Sequence, residues 1–238
     1  NGTISEYSLA TGSLLQEVTV PGAFASPALN LGLESLTRRA DGSEMWTANE
    51  EALPADGSLA TNVTGTSVRL QRFAVTGNTV TADPTHQTYD VEPIHTAALD
   101  LLDGRQSNDF SRSGVADLVV LPNGVLLALE RSFAMTGFNT AEYQSRLYEV
   151  TLNPNLSTTK KELWNSGPNT TLGNLEGLAL GPVLPGGNYS LLGVVDDGGS
   201  TDFISGNTLV AFELTGDVPE PGAMGIFLLI GLMCWRRR

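Results

Sequence analysis

Three stretches of the chain place carboxylates at the ends of an apolar hairpin. In Asn174 to Gly199, NLEGLALGPVLPGGNYSLLGVVDDGG, Glu176 precedes the apolar run Gly177 to Leu180, a Pro/Gly turn follows, and Leu191 to Val195 lead into Asp196 and Asp197. Antiparallel strands joined this way bring Glu176 and the Asp pair to one end of the hairpin. Leu33 to Leu53 and Val115 to Phe133 repeat the layout, with Glu34 and Asp117 before the turn and Glu50, Glu51 and Glu130 after it. Carboxylates gathered in one place repel one another and raise each other's pKa unless a cation sits among them. Calcium accepts about six to eight oxygen ligands and suits acids drawn from several segments. Glu34, Glu50, Glu130, Glu176, Asp196 and Asp197 form the candidate ring, with Glu34, Glu50, Glu176, Asp196 and Asp197 as Ca²⁺ ligands. A second reading stays open: the same acids accept bonds from backbone N–H groups, or pair with Arg38, Arg131 or Arg146 to stitch neighbouring units.

The elements that position these acids are strands. Asp41-Gly42 and Asn123-Gly124 interrupt apolar runs, and both residue types tolerate the positive φ of a tight hairpin turn. Val68 to Val75 alternates apolar and polar residues, as a half-exposed outer strand does. Residues 4 to 20 read as a strand pair, and Tyr89 to Leu102 as a strand, or as a short helix from Thr96 to Leu102. A hairpin repeated with intervening strands predicts an all-β chain, a β-propeller whose inner strands bring one end of each hairpin to the channel mouth. At about 40 to 50 residues per blade, the chain supplies about four to five blades, and the propeller is expected to be incomplete, its N-terminal part missing.

The same residues resemble a family. Asn174-Leu175-Glu176-Gly177-Leu178-Ala179 with Val194-Val195-Asp196-Asp197, Leu129-Glu130-Arg131 with Arg146-Leu147-Tyr148, and Gly32-Leu33-Glu34-Ser35-Leu36 with Asn49-Glu50 look like the phytase-like propeller domains, the "esterase-like activity of phytase" group. The resemblance covers roughly residues 1–215. It implies hydrolysis of an ester or phosphoester, with a metal polarising the reacting oxygen and activating water. Glu130, Arg131 and Asp196 would then be the catalytic residues, Arg131 steadying the developing charge. The alternative from a different class is a non-catalytic extracellular propeller that binds polysaccharide or protein.

The end of the chain has its own signature. Residues 216–221 read as a linker ending in Pro219-Glu220-Pro221, and residues 222–238 as a short hydrophobic helix closed by Arg236, Arg237 and Arg238. The apolar run Gly222 to Trp235 is shorter than the roughly 20 residues of a comfortable membrane span, and its arginines would stay cytoplasmic. This order closely resembles the PEP-CTERM sorting signal of bacterial surface proteins. The resemblance implies an exported protein, transiently anchored through residues 222–235, handed by an exosortase-type enzyme to the cell surface or matrix.

Composition removes other classes. A formal charge of −13, from 26 acids against 13 bases, repels nucleic acid. One cysteine, Cys234, allows no internal disulfide, and two histidines, His86 and His95, are too few for a histidine-based zinc site. There is no G-x-S-x-G nucleophile elbow, so a serine triad would require His86 or His95 to lie beside a suitable Ser.

Overall fold

Alternating apolar residues draw the chain into antiparallel strands that bury one face or both. The computed structural model describes residues 3–24, 32–96, 111–137, 140–168, 172–196 and 207–215, with the backbone of 225–227. β1 (Thr3–Tyr7) and β2 (Leu14–Thr19) form a hairpin. β3 (Thr37–Arg38), β4 (Glu44–Ala48), β5 (Thr66–Thr76) and β6 (Thr79–Ala82) make a meander, and β7 (Gln87–Val91) pairs with the first half of β5. β8 (Arg112–Val120), β9 (Leu126–Gly137), β10 (Thr140–Leu152) and β11 (Thr158–Asn165) form the next sheet. β12 (Leu175–Val183), β13 (Tyr189–Val195), β14 (Thr208–Thr215) and β15 (Gly225–Phe227) form the last.

The chain is all-β, as the hairpin pattern predicts, and its described residues contain no α-helix. Sequence reading took Val68 to Val75 as an outer strand, but β5 is paired on both sides, by β4 and by β6 with β7. Its alternation reflects two faces with different neighbours rather than an open edge. Residues 225–227, inside the expected hydrophobic helix, extend along β14 instead, Leu214 opposite Ile226, where the edge of β14 offers unpaired backbone groups. Pro219, Glu220, Pro221, the rest of the tail and the expected helix at 97–102 lie outside the described residues. The described strands do not close into a barrel or a ring of blades.

The core lies between the sheets. Leu127, Leu129 and Leu147 of one sheet meet Leu175, Leu191 and Phe212 of the next. Trp46, Val68 and Leu70 meet Leu118, Leu126 and Ala128 across the preceding layer. Each such leucine, removed from water, contributes about 1.5–3 kcal/mol. The turns between paired strands follow the sequence, Gly42 and Gly124 having φ of 75° and 89°.

Register makes the three sheets equivalent. β8 pairs Val115 with Glu130 and then Asp117 with Leu129, so Ala116 is an extra, bulged residue. β12 pairs Leu175 with Val195 and then Gly177 with Val194, bulging at Glu176. In the earlier sheet Leu33 bridges Asn49 while Thr37 pairs with Trp46, again one residue in excess. Leu33, Val115 and Leu175 therefore correspond, as do Glu34, Ala116 and Glu176. On the second strands Asn49, Glu130 and Val195 correspond, followed by Glu50, Arg131 and Asp196.

Candidate functional site

The bulge and the residue one step beyond its flanking pair come together at the strand ends in the first and third sheets, and inside the ladder in the middle one, where β8 and β9 pair on as far as Arg112 and Phe133. Arg131 is the centre. Its Nη2 donates to Glu50 Oε1 at 2.5 Å, and its Nη1 lies 3.0 Å from Glu176 Oε1 and donates to Asn174 Oδ1 at 3.2 Å. Asn174 in turn donates from Nδ2 to the Asp196 carbonyl at 2.9 Å. The backbone repeats the equivalence: Glu50 N–H donates to the Gly32 carbonyl, Asp196 N–H to that of Asn174, and Arg131 pairs with Gly114.

Depth separates the acids. Glu50 is buried, Glu176 half-buried, Glu34 and Asp196 exposed. Burial pushes the Glu176 carboxyl above its ordinary value, the nearby Arg131 pulling it down and Glu50, Asp196 and Glu34 pushing it further up. Glu34 is raised in the same way, by burial and then by Glu50. The structure thus brings Glu34, Glu50, Glu176, Asp196 and Arg131 together, while Asp197 lies outside the described residues. The cluster also includes two residues that the sequence reading did not assign, Asn174 and Tyr143, whose hydroxyl pKa is raised by burial and responds to Arg131, Glu176 and Asp196. Asn174 stood two residues before Glu176 in the repeated motif, and its correspondence to Gly32 and Gly114 was the signal available.

Glu130 is not in the cluster. Successive strand residues face opposite ways, so Glu130 leaves Arg131 behind and enters a separate buried network. Its Oε1 accepts from Tyr89 at 2.7 Å and from Lys160 at 2.6 Å, and its Oε2 from the Glu92 backbone N–H at 3.0 Å. Lys160 also reaches Glu92 Oε1 at 3.0 Å and lies 4.4 Å from the ring centre of Tyr148. Asp117, which the sequence pattern aligns with Glu34 and Glu176, sits one register step off. It accepts the N–H groups of Leu118 and Leu178 at 2.8 and 2.7 Å, tying β8 to β12, and burial raises its pKa to about 6.

A histidine does lie beside a serine. His95 Nδ1 is 2.8 Å from Ser132 Oγ, and its Nε2 is 3.9 Å from Glu142 Oε2. Accessibility is inverted for a nucleophilic triad, because Ser132 is 1% exposed whereas Glu142 is open to solvent. Ser132 Oγ also accepts the His95 backbone N–H at 3.1 Å, which makes the pair a fastening of the 92–95 segment onto β9.

The carboxylates do not fit calcium as they stand. The cation among them is a guanidinium, and among the described residues no group of three or more His, Cys, Asp or Glu is arranged to hold a metal ion. What the cluster offers chemically is a pH-responsive carboxyl, Glu176, open to water and touching a fixed positive charge.

The family described as "Phytase-like: Esterase-like activity of phytase" matches residues 2–199. No curated protein and no solved structure matches the chain.

Proposed function

The chain belongs to the phytase-like family, and from that premise we propose that the Arg131 cluster is the hydrolytic centre of an ester hydrolase. The contact between the Arg131 guanidinium and the half-buried Glu176 carboxylate carries the reading. Glu176, its pKa raised by burial and by the neighbouring acids, takes a proton from water. The water oxygen bonds to the ester carbonyl carbon, and the negative charge that develops on the carbonyl oxygen is stabilised by Arg131. As the intermediate collapses, the carbon–oxygen bond to the alcohol breaks and Glu176 returns its proton to the leaving oxygen. The products are a carboxylic acid and an alcohol. Four carboxylates around one cation disfavour a phosphate monoanion or dianion, so the substrate class is a carboxylic ester of neutral charge.

In this reading the four-stranded sheets are blades of a propeller, with the cluster at the channel mouth. Pro219-Glu220-Pro221, the apolar run behind them and the terminal arginines support export, sorting by an exosortase-type enzyme and a surface location. No helix of the described residues is long and apolar enough to cross a membrane. No step is routed through calcium, because the described donor set does not fit it.

A non-catalytic propeller binding polysaccharide or protein is favoured by one observation: both Nη groups of Arg131 are already engaged by the protein's own oxygen atoms. Steady-state hydrolysis of p-nitrophenyl acetate and p-nitrophenyl phosphate separates the two. Glu176→Gln lowers acetate turnover by about a hundredfold or more in the hydrolytic reading. Equal rates for wild type and variant leave the binding module standing.

A further inference from the structure

The β1–β2 hairpin does not lie flat on the sheet behind it. Val20 and Phe24, just past β2, pack with Leu53 and Phe73; Ile4, Val18, Met45 and Val80 lie against them, and a cleft of about 610 Å³ opens beside this cluster. That volume is in the range of small-molecule sites, about 300–1,000 Å³. Ile4, Leu15 and Val18 form the hairpin wall, and Leu36, Met45 and Val80 the opposite one. Leu15 and Leu36 remain 60% and 52% exposed, so a continuous apolar lining runs out to the mouth.

Among the described residues a single cationic side chain borders this lining. Arg38 stands on the sheet wall, and its only hydrogen bond among the described residues is a 3.3 Å contact from Nη2 to the Gly42 carbonyl. Arg39, Arg69, Arg72, Arg112 and Arg131 each have a carboxylate partner, and Arg146, which does not line the cleft, donates to Gln144 Oε1. In a chain with twice as many acids as bases, a guanidinium with no carboxylate partner among the described residues, at the edge of an apolar cleft, is a charge available to a ligand. The acid on the hairpin wall, Glu6, is already engaged, its Oε2 accepting from Gln16 Nε2 at 2.6 Å.

We propose that this cleft binds an aliphatic carboxylate, its hydrocarbon chain between the hairpin and the sheet and its carboxylate on Arg38. Transfer of the chain out of water supplies affinity, and the charge-assisted bonds to a planar, two-pronged donor select the anionic head. The site is separate from the Arg131 cluster and does not depend on hydrolysis there.

Calorimetric titration of the full chain with decanoate, decanol and decylammonium, each below its aggregation concentration, tests the assignment. Decanoate saturates one site and binds roughly ten- to a hundredfold more tightly than the other two. Arg38→Gln, an exposed change, removes that preference while decanol binding stays the same. Val80→Trp fills the cleft and weakens decanoate and decanol alike, with thermal melting used to verify that each variant is folded. Absence of saturable decanoate binding, equal affinity for decylammonium, or an unchanged decanoate affinity in Arg38→Gln overturns the proposal.

Discussion

Glu50 and Arg131 occupy the same register position in successive sheets, and they bond each other, Oε1 to Nη2 at 2.5 Å. One is an acid and the other a base at a site that the third sheet fills with Asp196. The pair is buried, so removing the cation strands its partner. Arg131→Met is expected to cost about 3–5 kcal/mol in chemical denaturation, and Arg131→Met with Glu50→Gln to recover a good part of it. If the single variant denatures at the wild-type concentration, the guanidinium is not what holds the acids together.

The Glu130 network predicts a different profile. Glu130 is 1% exposed and neutralised by Lys160, so Lys160→Met costs on the order of 3 kcal/mol of stability, read as a lower melting temperature. Neither Lys160→Met nor Glu130→Gln changes kcat on p-nitrophenyl acetate in the fraction that stays folded. A turnover loss with unaltered stability would return Glu130 to the catalytic set.

Gly114 links packing to the cluster. A Cβ added there would come within 2.6 Å of the Glu50 carbonyl oxygen, which also accepts the Val115 N–H at 2.9 Å. Backbone cannot swing aside as a side chain can, so Gly114→Ala pushes β8 away from Glu50. Both melting temperature and ester hydrolysis should fall, and wild-type values for both would show that the sheets separate without strain.

Stability should depend on pH from two sides. Burial raises Glu51 from 4.5 to about 7, so between those values the folded chain holds a proton that the unfolded chain has released. That contribution is complete below about pH 4.5 and is lost as the pH rises through 7, a change of about 3 kcal/mol. Glu51→Gln should flatten the alkaline side of a denaturation–pH curve.

His95 acts in the opposite sense. Burial, with Arg146 adding to it, lowers its pKa from 6.5 to about 4, so the unfolded chain takes up a proton that the folded chain refuses. Its contribution is complete above pH 6.5 and is lost as the pH falls through 4. His95→Gln should therefore lose less stability than wild type between pH 6.5 and 4, and an identical acid limb would remove His95 from the account.

The fold class and the convergence of Glu34, Glu50, Glu176 and Asp196 were legible in the sequence, because apolar runs flanking Asp-Gly and Asn-Gly mark hairpins and acids stood at their ends. The register was not. Reading Asp117 as the counterpart of Glu34, and Glu130 as that of Glu50, is off by one residue, and with a side-chain period of two a single step moves a residue to the opposite face. The anchors that align the three segments are the pairs Leu33–Asn49, Val115–Glu130 and Leu175–Val195, and strand pairing leaves no mark in composition. Nor could spacing reveal that a cation would take the middle of the ring, since Arg131 differs from its counterparts only in side chain, not in place. The His95–Ser132 contact was beyond reach for another reason: the two residues are brought together by packing of separate segments.

The corresponding positions also give the cluster a lopsided field. The β3–β7 unit contributes Glu34 and Glu50, the β12–β15 unit Glu176 and Asp196, and the unit between them Ala116 and Arg131. A polar molecule drifting in meets a positive sector flanked by two negative ones, so its dipole is turned before it touches any wall. Whatever enters arrives with its electron-rich end toward β9.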